Sequence, residues 1–305
     1  MDIKKEFFES WKNSVISVID EKYSNYQKVM DMSDEEKILN YISYIRKCAN
    51  HPFTVYESIQ IKEMIPDNAR EAYNEIKGRL IDGKGVEPYL SSQARKLRPD
   101  GLFNDWNILH LHLGEIHGAN ATANRTRETL HLQLTNDSAY LIKIGGHGSG
   151  AYNDPEDLNI VKQNWPDLLA SMPNVNVEEH MDSQLFEDRQ NGIMTIPVAT
   201  NHSGDKEAVL TNSLGYSTKN TSNRDLEILD RHIMPLLNSI LETASTKMDN
   251  PDLLKKGDFH YYPENELFTY GFEEKGKFIA LLEVNSKDFF EHAIDTCQDN
   301  LEFKI

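Results

Sequence analysis

The sequence predicts an α+β fold, with a helical N-terminal region, a central antiparallel sheet with flanking helices, and a β-rich C-terminal piece. Apolar residues recur at helical spacing in the first 95 residues, alternate with polar residues between 108 and 147, and form short aromatic-rich runs after residue 258. We therefore predict a helical region at 1–95, an α+β domain carrying histidine-rich strands at 96–250, and a strand meander with a short helix at 251–305.

The composition is that of a globular protein. Hydrophobic residues make up 39% of the 305 residues, which is enough for a buried core. We expect no membrane helix, because no run of about 18 apolar residues occurs. We expect no signal peptide, because the segment from Met1 to Phe8 lacks an apolar core. The two cysteines, Cys48 and Cys297, lie far apart, which fits a reducing cytoplasm.

The charge argues against broad, charge-driven nucleic-acid binding. The net charge is -17, whereas phosphate contacts are made mainly by Lys and Arg. Residues 101–150 are nearly balanced and contain five of the 11 histidines, so this block gains positive charge near the imidazole pKa. The acidic remainder is a candidate surface for a protein partner or for restraint of the site.

Three helices are expected in the first region. Apolar spacing predicts one at 3–20 and another at about 66–81, ending near Gly83. Ser33 and Glu36 form a capping-box pattern for a helix that must end before Pro52.

Three strands follow, each with alternating side chains. In 109–113 and 130–134 the leucines alternate with polar residues, so they share one face. In 139–147 we expect Tyr140, Ile142 and Ile144 on one face and Lys143 and His147 on the other, although a bulge at Gly145-Gly146 would shift the parity of His147. One antiparallel sheet would then place these polar residues on its solvent side: His110, His112, His131, Gln133, Lys143 and His147.

The later elements are recognised from turn and capping residues. A helix is expected after Asp154, with Pro155 at its first position and Pro166 near its end. A hairpin is expected over 193–210, and a helix beginning at Ser222 should bend at Pro235. Strands at 259–262, 266–272 and 278–284 and a helix at 286–297 complete the chain.

The histidine cluster suggests acid and base chemistry. Imidazole titrates near neutral pH, so one His can accept a proton while another donates one. Metal-free RNA cleavage needs such a pair and a cation near the phosphate. The candidate acids and bases are His110, His112 and His147, and the candidate cations are Lys143, Arg125 and Arg127.

The order of these strands also resembles known nucleases. Two alternating strands, a loop, a third strand ending in Ile144-Gly-Gly-His147 and a helix look like the sheet of RelE-type messenger-RNA interferases and the wider barnase, EndoU and colicin grouping. The resemblance covers about residues 100–170 and implies an endoribonuclease acting as a toxin or defence protein. RelE-type toxins are small and basic, unlike this chain. The stretch from Asp100 to Gly114 also resembles uncharacterised bacterial and phage proteins.

Two alternatives to the nuclease remain open. His110, His112, His131 and His147 have the residue types of a catalytic zinc site, with Asp105, Glu115 and Asp137 as candidates to orient the rings. Such a site would make the protein a metal-dependent hydrolase, whereas the nuclease hypothesis needs no cofactor. The other alternative is a non-enzymatic interaction protein whose histidines are only hydrogen-bonded or solvated. The oligomeric state is left open.

Overall fold

The fold is α+β, as predicted. The computed structural model describes residues 2–117, 122–146, 155–172, 197–201, 203–211 and 221–294. The helices in these ranges are α1 Ile3–Lys22, α2 Gln27–Met30, α3 Asp34–Cys48, α4 Ile59–Met64, α5 Arg70–Asp82, α6 Gly101–Trp106, α7 Glu156–Asn164, α8 Asn223–Glu227, α9 Met234–Lys247 and α10 Ser286–Ile294. Within these ranges, none of the helices combines the length and apolar content that a bilayer crossing requires.

The described strands form four sheets. The strands are β1 Thr54–Glu57, β2 Ile108–His112, β3 Ile116–His117, β4 Thr122–Ala123, β5 Thr129–Leu134, β6 Ser138–Gly145, β7 Ala170–Ser171, β8 Val198–Thr200, β9 Lys206–Leu210, β10 Asp258–Tyr262, β11 Leu267–Glu274 and β12 Lys277–Asn285. The sheet orders are β1-β6-β5-β2, β10-β11-β12, β3-β4 and β7-β9-β8.

The chain divides into two compact units that do not follow the three predicted regions. Unit 1 combines residues 1–42 with 226–305, and unit 2 contains residues 43–225. The boundary lies inside α3, so this helix belongs partly to each unit. Residues 1–42 of the predicted helical region therefore share unit 1 with the predicted C-terminal region, whereas residues 43–95 belong to unit 2.

Unit 1 is held together by aromatic packing between α1 and the C-terminal elements. Phe7 contacts Phe259 and Tyr270 in edge-to-face geometry, with both ring centroids 4.7 Å away. Trp11 is fully buried beside Phe268 and Phe289. Large rings bury much apolar surface, which explains why an N-terminal helix and the predicted meander form a common core.

Several capping and turn predictions are confirmed. The backbone N–H of Ser33 donates to Glu36 at 2.8 Å and that of Glu36 donates to the Ser33 hydroxyl at 3.3 Å, which is the reciprocal capping box at the start of α3. Gly83 ends α5 with a φ of 68°, a left-handed conformation that suits glycine. Before Pro235, residues 228–233 form a π-helical segment.

Unit 2 is organised around the sheet β1-β6-β5-β2. Strands β2, β5 and β6 are antiparallel, and β1 pairs in parallel with β6. The predicted helical N-terminal region also contributes β1, a short edge strand, to this sheet. On one face of the sheet, Ile108 and Ile142 join a buried cluster with Leu158 and Val161 of α7.

Candidate functional site

The strand register brings three of the predicted site residues into line. His110 of β2 lies opposite His131 of β5, which lies opposite Lys143 of β6. We call these three residues the central row. Residues opposite one another in adjacent strands project from the same face of a sheet. Three side chains capable of proton transfer or positive charge therefore lie side by side.

A second row lies next to the central row at the end of the sheet. His112, Thr129 and Gly145 pair across the same three strands, and we call them the end row. His112 follows His110 by two positions, so both side chains share a face, about 7 Å apart along the strand. The prediction that His110 and His112 lie on the same face is confirmed.

The predicted side-chain parity of β6 is wrong. The register shifts between His131 and Leu132, since His131 pairs with Lys143 whereas Leu132 pairs with Leu141, and Ile142 is the extra residue. This bulge reverses the alternation, so Tyr140, opposite Gln133, shares the face of Lys143. The irregularity within the β5–β6 ladder is thus at Ile142.

The histidine-bearing face is buried, contrary to the expectation of a solvent side. His131 is 0% exposed, His110 8% and His112 5%. The reason is α7, whose apolar side packs on Ile108 and Ile142 of this same face. The other face carries the alternating leucines and is buried as well. Both faces of the sheet therefore contribute to the interior, which an alternating pattern alone does not predict.

His131 is fixed from both ring nitrogens. Its Nδ1 lies 2.9 Å from one carboxylate oxygen of Asp157 and 3.1 Å from the other, and its Nε2 lies 3.1 Å from the Thr129 hydroxyl oxygen. With Asp157 ionised, Nδ1–H donates to the carboxylate; Nε2 of a neutral ring accepts from the Thr129 hydroxyl, whose other acceptor is the Gly146 carbonyl at 3.5 Å. Hydroxyl, imidazole and carboxylate thus form a continuous buried hydrogen-bonded series.

The close approach of Gly145 to this ring explains the glycine at that position. A Cβ atom there would lie 2.6 Å from His131 Nε2 and 2.8 Å from Cε1. Any larger residue would therefore displace the imidazole or the strand.

Lys143 is paired with two carboxylates from the first turn of α7. Its Nζ lies 2.9 Å from Glu156 and 3.3 Å from Asp157. Asp157 is fully buried and serves both Lys143 and His131, whereas the Glu156 side chain is 63% exposed. Acidic side chains are also favoured at a helix N-terminus by the helix dipole.

His110 lies near a different carboxylate. Its Nδ1 is 3.6 Å from Asp100, which caps α6 by accepting a 3.2 Å hydrogen bond from the Phe103 N–H. This distance is beyond a hydrogen bond but within ion-pair range if His110 is protonated.

The predicted cations Arg125 and Arg127 lie on an exposed segment at the end-row edge of the sheet. Between them, the Thr126 hydroxyl accepts a 3.0 Å hydrogen bond from the N–H of Leu113, the residue after His112. The same hydroxyl donates to the Glu128 carbonyl at 2.6 Å. The backbone of this segment is thus attached to the end of β2, while both arginines remain exposed.

One predicted site residue, His147, lies outside the described residues, as do the predicted helix cap Asp154 and residues 193–196 of the predicted hairpin. No geometry can be assigned to the role predicted for His147.

Sequence reasoning missed Asp157 and Thr129. The carboxylate that orients His131 is Asp157, not one of the three suggested candidates; of those, Asp137 accepts from the adjacent Ser138 hydroxyl at 2.8 Å. A signal for Asp157 did exist, because it lies in the first turn of a helix predicted to follow the histidine strands.

The zinc alternative has no complete ligand set in the described part of the chain. No group of three or more His, Cys, Asp or Glu side chains there is arranged to hold a metal ion. Both nitrogens of His131 are also engaged by Asp157 and Thr129. The alternative stays a prediction that depends on His147.

A separate buried charge network lies near the start of β2. Arg46 donates to Asp225 at 2.6 Å, to Asn107 at 2.8 Å and to Ser222 at 3.1 Å, and its guanidinium lies 4.8 Å from the centre of the Phe103 ring. Asn107 in turn donates to the Leu134 carbonyl at the end of β5. This network fixes the α6–β2 connection, which places His110 in register.

Lys47, next to Arg46, is also buried. Its ammonium lies 5.0 Å from the centre of the Phe103 ring, which provides cation–π attraction. Burial lowers the pKa of Lys47, although the charges of Asp100 and Asp225 partly oppose that shift.

No known protein family, curated protein or solved structure matches this chain.

Proposed function

We propose that this protein is a metal-independent endoribonuclease that cleaves RNA by acid and base catalysis at His110 and His112. The observation that carries the proposal is the central row, in which His110, His131 and Lys143 lie side by side, with His112 on the same face of β2. His110 and His112 each keep a small exposed fraction, 8% and 5%, whereas His131 has none. This difference favours His110 and His112 as the reacting pair.

The roles follow from the chemistry of RNA cleavage. One imidazole removes the proton of a 2′-hydroxyl, whose oxygen attacks the adjacent phosphorus. The bond from phosphorus to the 5′-oxygen breaks, and the other imidazole protonates that oxygen. The products are a 2′,3′-cyclic phosphate and a free 5′-hydroxyl, so no external reactant is needed.

The remaining polar residues have supporting roles in this proposal. Lys143 supplies positive charge beside the reacting phosphate, and Arg125 and Arg127 contact neighbouring phosphates at the exposed end-row edge. His131 acts as a positioning residue, because Asp157 and Thr129 hold its ring between the other two members of the central row. A toxin or defence role remains a prediction from the resemblance, and a protein partner or inhibitor remains a prediction from the acidic charge.

The test is cleavage of a fluorescent single-stranded RNA in the presence of EDTA. We expect cleavage by the wild-type chain, with a cyclic phosphate product, and no cleavage of RNA carrying 2′-O-methyl groups. His110→Ala and His112→Ala should each lose about 10²- to 10⁴-fold in rate. His260→Ala is the matched control, because this histidine is exposed on β10 in unit 1.

The outcomes separate the alternatives. Cleavage that EDTA abolishes would favour the metal-dependent hydrolase. Absence of cleavage, with wild-type stability in both histidine variants, would favour the non-enzymatic interaction protein. Cleavage unchanged in His110→Ala and His112→Ala would show that the chemistry lies elsewhere.

A further inference from the structure

A row of aromatic side chains lies beside the central row, on the same face of the sheet. Tyr56 of β1 pairs with Tyr140 of β6, which pairs with Gln133 of β5. Gln133 follows His131 by two positions, so this row is about 7 Å from the central row. We call Tyr56, Tyr140 and Trp165 the aromatic surface.

The rings of the aromatic surface are stacked and partly accessible. Tyr56 and Tyr140 are nearly parallel, with ring centroids 5.2 Å apart and an interplanar angle of 14°. Trp165 packs edge-on against Tyr140 at 5.0 Å. Tyr56 is 44% exposed at the edge of the sheet, so the stack ends in an accessible ring.

The carboxylate next to Tyr56 in sequence is directed away from the aromatic surface. Successive side chains of a strand alternate, so Glu57 projects from the opposite face of the sheet, on the side of Leu141. There it is ion-paired with Lys77 at 2.8 Å and accepts a hydrogen bond from Tyr73.

We infer that the aromatic surface binds a nucleobase of single-stranded RNA, one or two nucleotides from the scissile phosphate. A nucleobase can stack on the exposed ring of Tyr56, because every base has a π-face. Phosphates of the same RNA strand would then lie toward Lys143 in the central row, about 7 Å away. This inference deepens the proposed function and rests on it for the identity of the ligand.

The structure also provides a fluorescent reporter for such binding. Trp11 and Trp106 are buried, at 0% and 2% exposure, whereas Trp165 is half-buried within the aromatic surface. A collisional quencher such as acrylamide therefore reaches mainly Trp165. Binding of a base to the surface should reduce that quenching.

The experiment measures binding of a six-nucleotide, 2′-O-methylated single-stranded RNA, which cannot be cleaved. We expect Tyr56→Ala to weaken binding about tenfold and to abolish the protection of Trp165 from acrylamide. Tyr56→Phe should bind like wild type, because stacking needs the ring and not the hydroxyl. Tyr262→Ala is the matched control, an exposed tyrosine on β10 in unit 1.

Equal binding by wild type and Tyr56→Ala would overturn the inference. A Tyr56→Ala effect confined to the oligomeric state in light scattering would also overturn it, because the surface would then serve a second copy of the chain. Binding that depends on Tyr56 without any RNA cleavage would remove the proposed catalysis and leave the base-binding surface. Cleavage that depends on His110 with no role for Tyr56 would support the proposed catalysis and overturn the base-binding surface.

Discussion

Replacement of Asp157 by alanine is the strongest test of the buried site. This carboxylate is fully buried and is shared between His131, at 2.9 Å, and Lys143, at 3.3 Å. Its removal leaves the Nδ1–H of His131 without its acceptor and takes from Lys143 the buried one of the two carboxylates of α7 that pair with it. Loss of one partner from a buried charged pair costs about 3–5 kcal/mol, which is the destabilisation we expect.

Glu156→Ala is the matched control for Asp157→Ala. Both residues lie in the first turn of α7 and contact Lys143, but the Glu156 side chain is 63% exposed. Exposed ion pairs contribute about 0–1 kcal/mol, so this variant should change stability little. The two substitutions therefore differ mainly in the burial of the carboxylate that they remove.

The free energy of unfolding is measured by urea denaturation followed by fluorescence. Hydrogen exchange of peptides that cover β5 then shows whether the loss of stability lies in unit 2. His131→Ala and the double variant complete a cycle, in which we expect a coupling of about 1–3 kcal/mol between His131 and Asp157. The reasoning would be refuted if Asp157→Ala and Glu156→Ala lowered the free energy of unfolding equally, or if the coupling energy between His131 and Asp157 were zero.

Three further predictions concern stability. Gly145→Ala should destabilise unit 2 by about 1–3 kcal/mol, because its Cβ would overlap the His131 ring. Gly146→Ala is the control: a Cβ atom there meets no atom of the described residues within 4 Å, so it should cost much less free energy of unfolding in the same urea assay. Burial raises the pKa of Glu291 to about 7, so the contribution of this residue to stability should be greatest below pH ~4.5, fall by about 1–2 kcal/mol as the pH rises to ~7, and then level off. Glu291→Gln should flatten that pH dependence of the denaturation midpoint, and an unchanged slope would contradict the assignment. Ser33→Ala should cost about 1 kcal/mol through loss of the capping box, measured by thermal unfolding, while no effect would argue against this cap.

The regular elements could be predicted from sequence because their signals are local. Alternating leucines identified β2 and β5, and the spacing of Ser33 and Glu36 identified the start of α3. Both kinds of pattern reflect which side chains one short element must bury or cap. They do not depend on what packs against that element.

The candidate site was predicted only in part, because its geometry depends on distant contacts. The alternating pattern predicted that His110 and His131 project from the same face of the sheet. The bulge at Ile142 arises from pairing between β5 and β6 and has no local sequence signal. Burial of the histidine-bearing face depends on α7, and alternation cannot distinguish solvent from a covering helix. The partnership of Asp157 with His131 required knowing where α7 lies.

The division of the chain into units has a consequence for biosynthesis. The aromatic partners of Trp11, among them Phe268 and Phe289, lie near the other end of the chain. At about 5–20 residues per second, a ribosome adds the roughly 250 intervening residues in about 10–50 s, during which the first helix is exposed without those partners. Nascent chains of this protein are therefore expected to present Phe7 and Trp11 to chaperones until Phe268 and Phe289 have been synthesised.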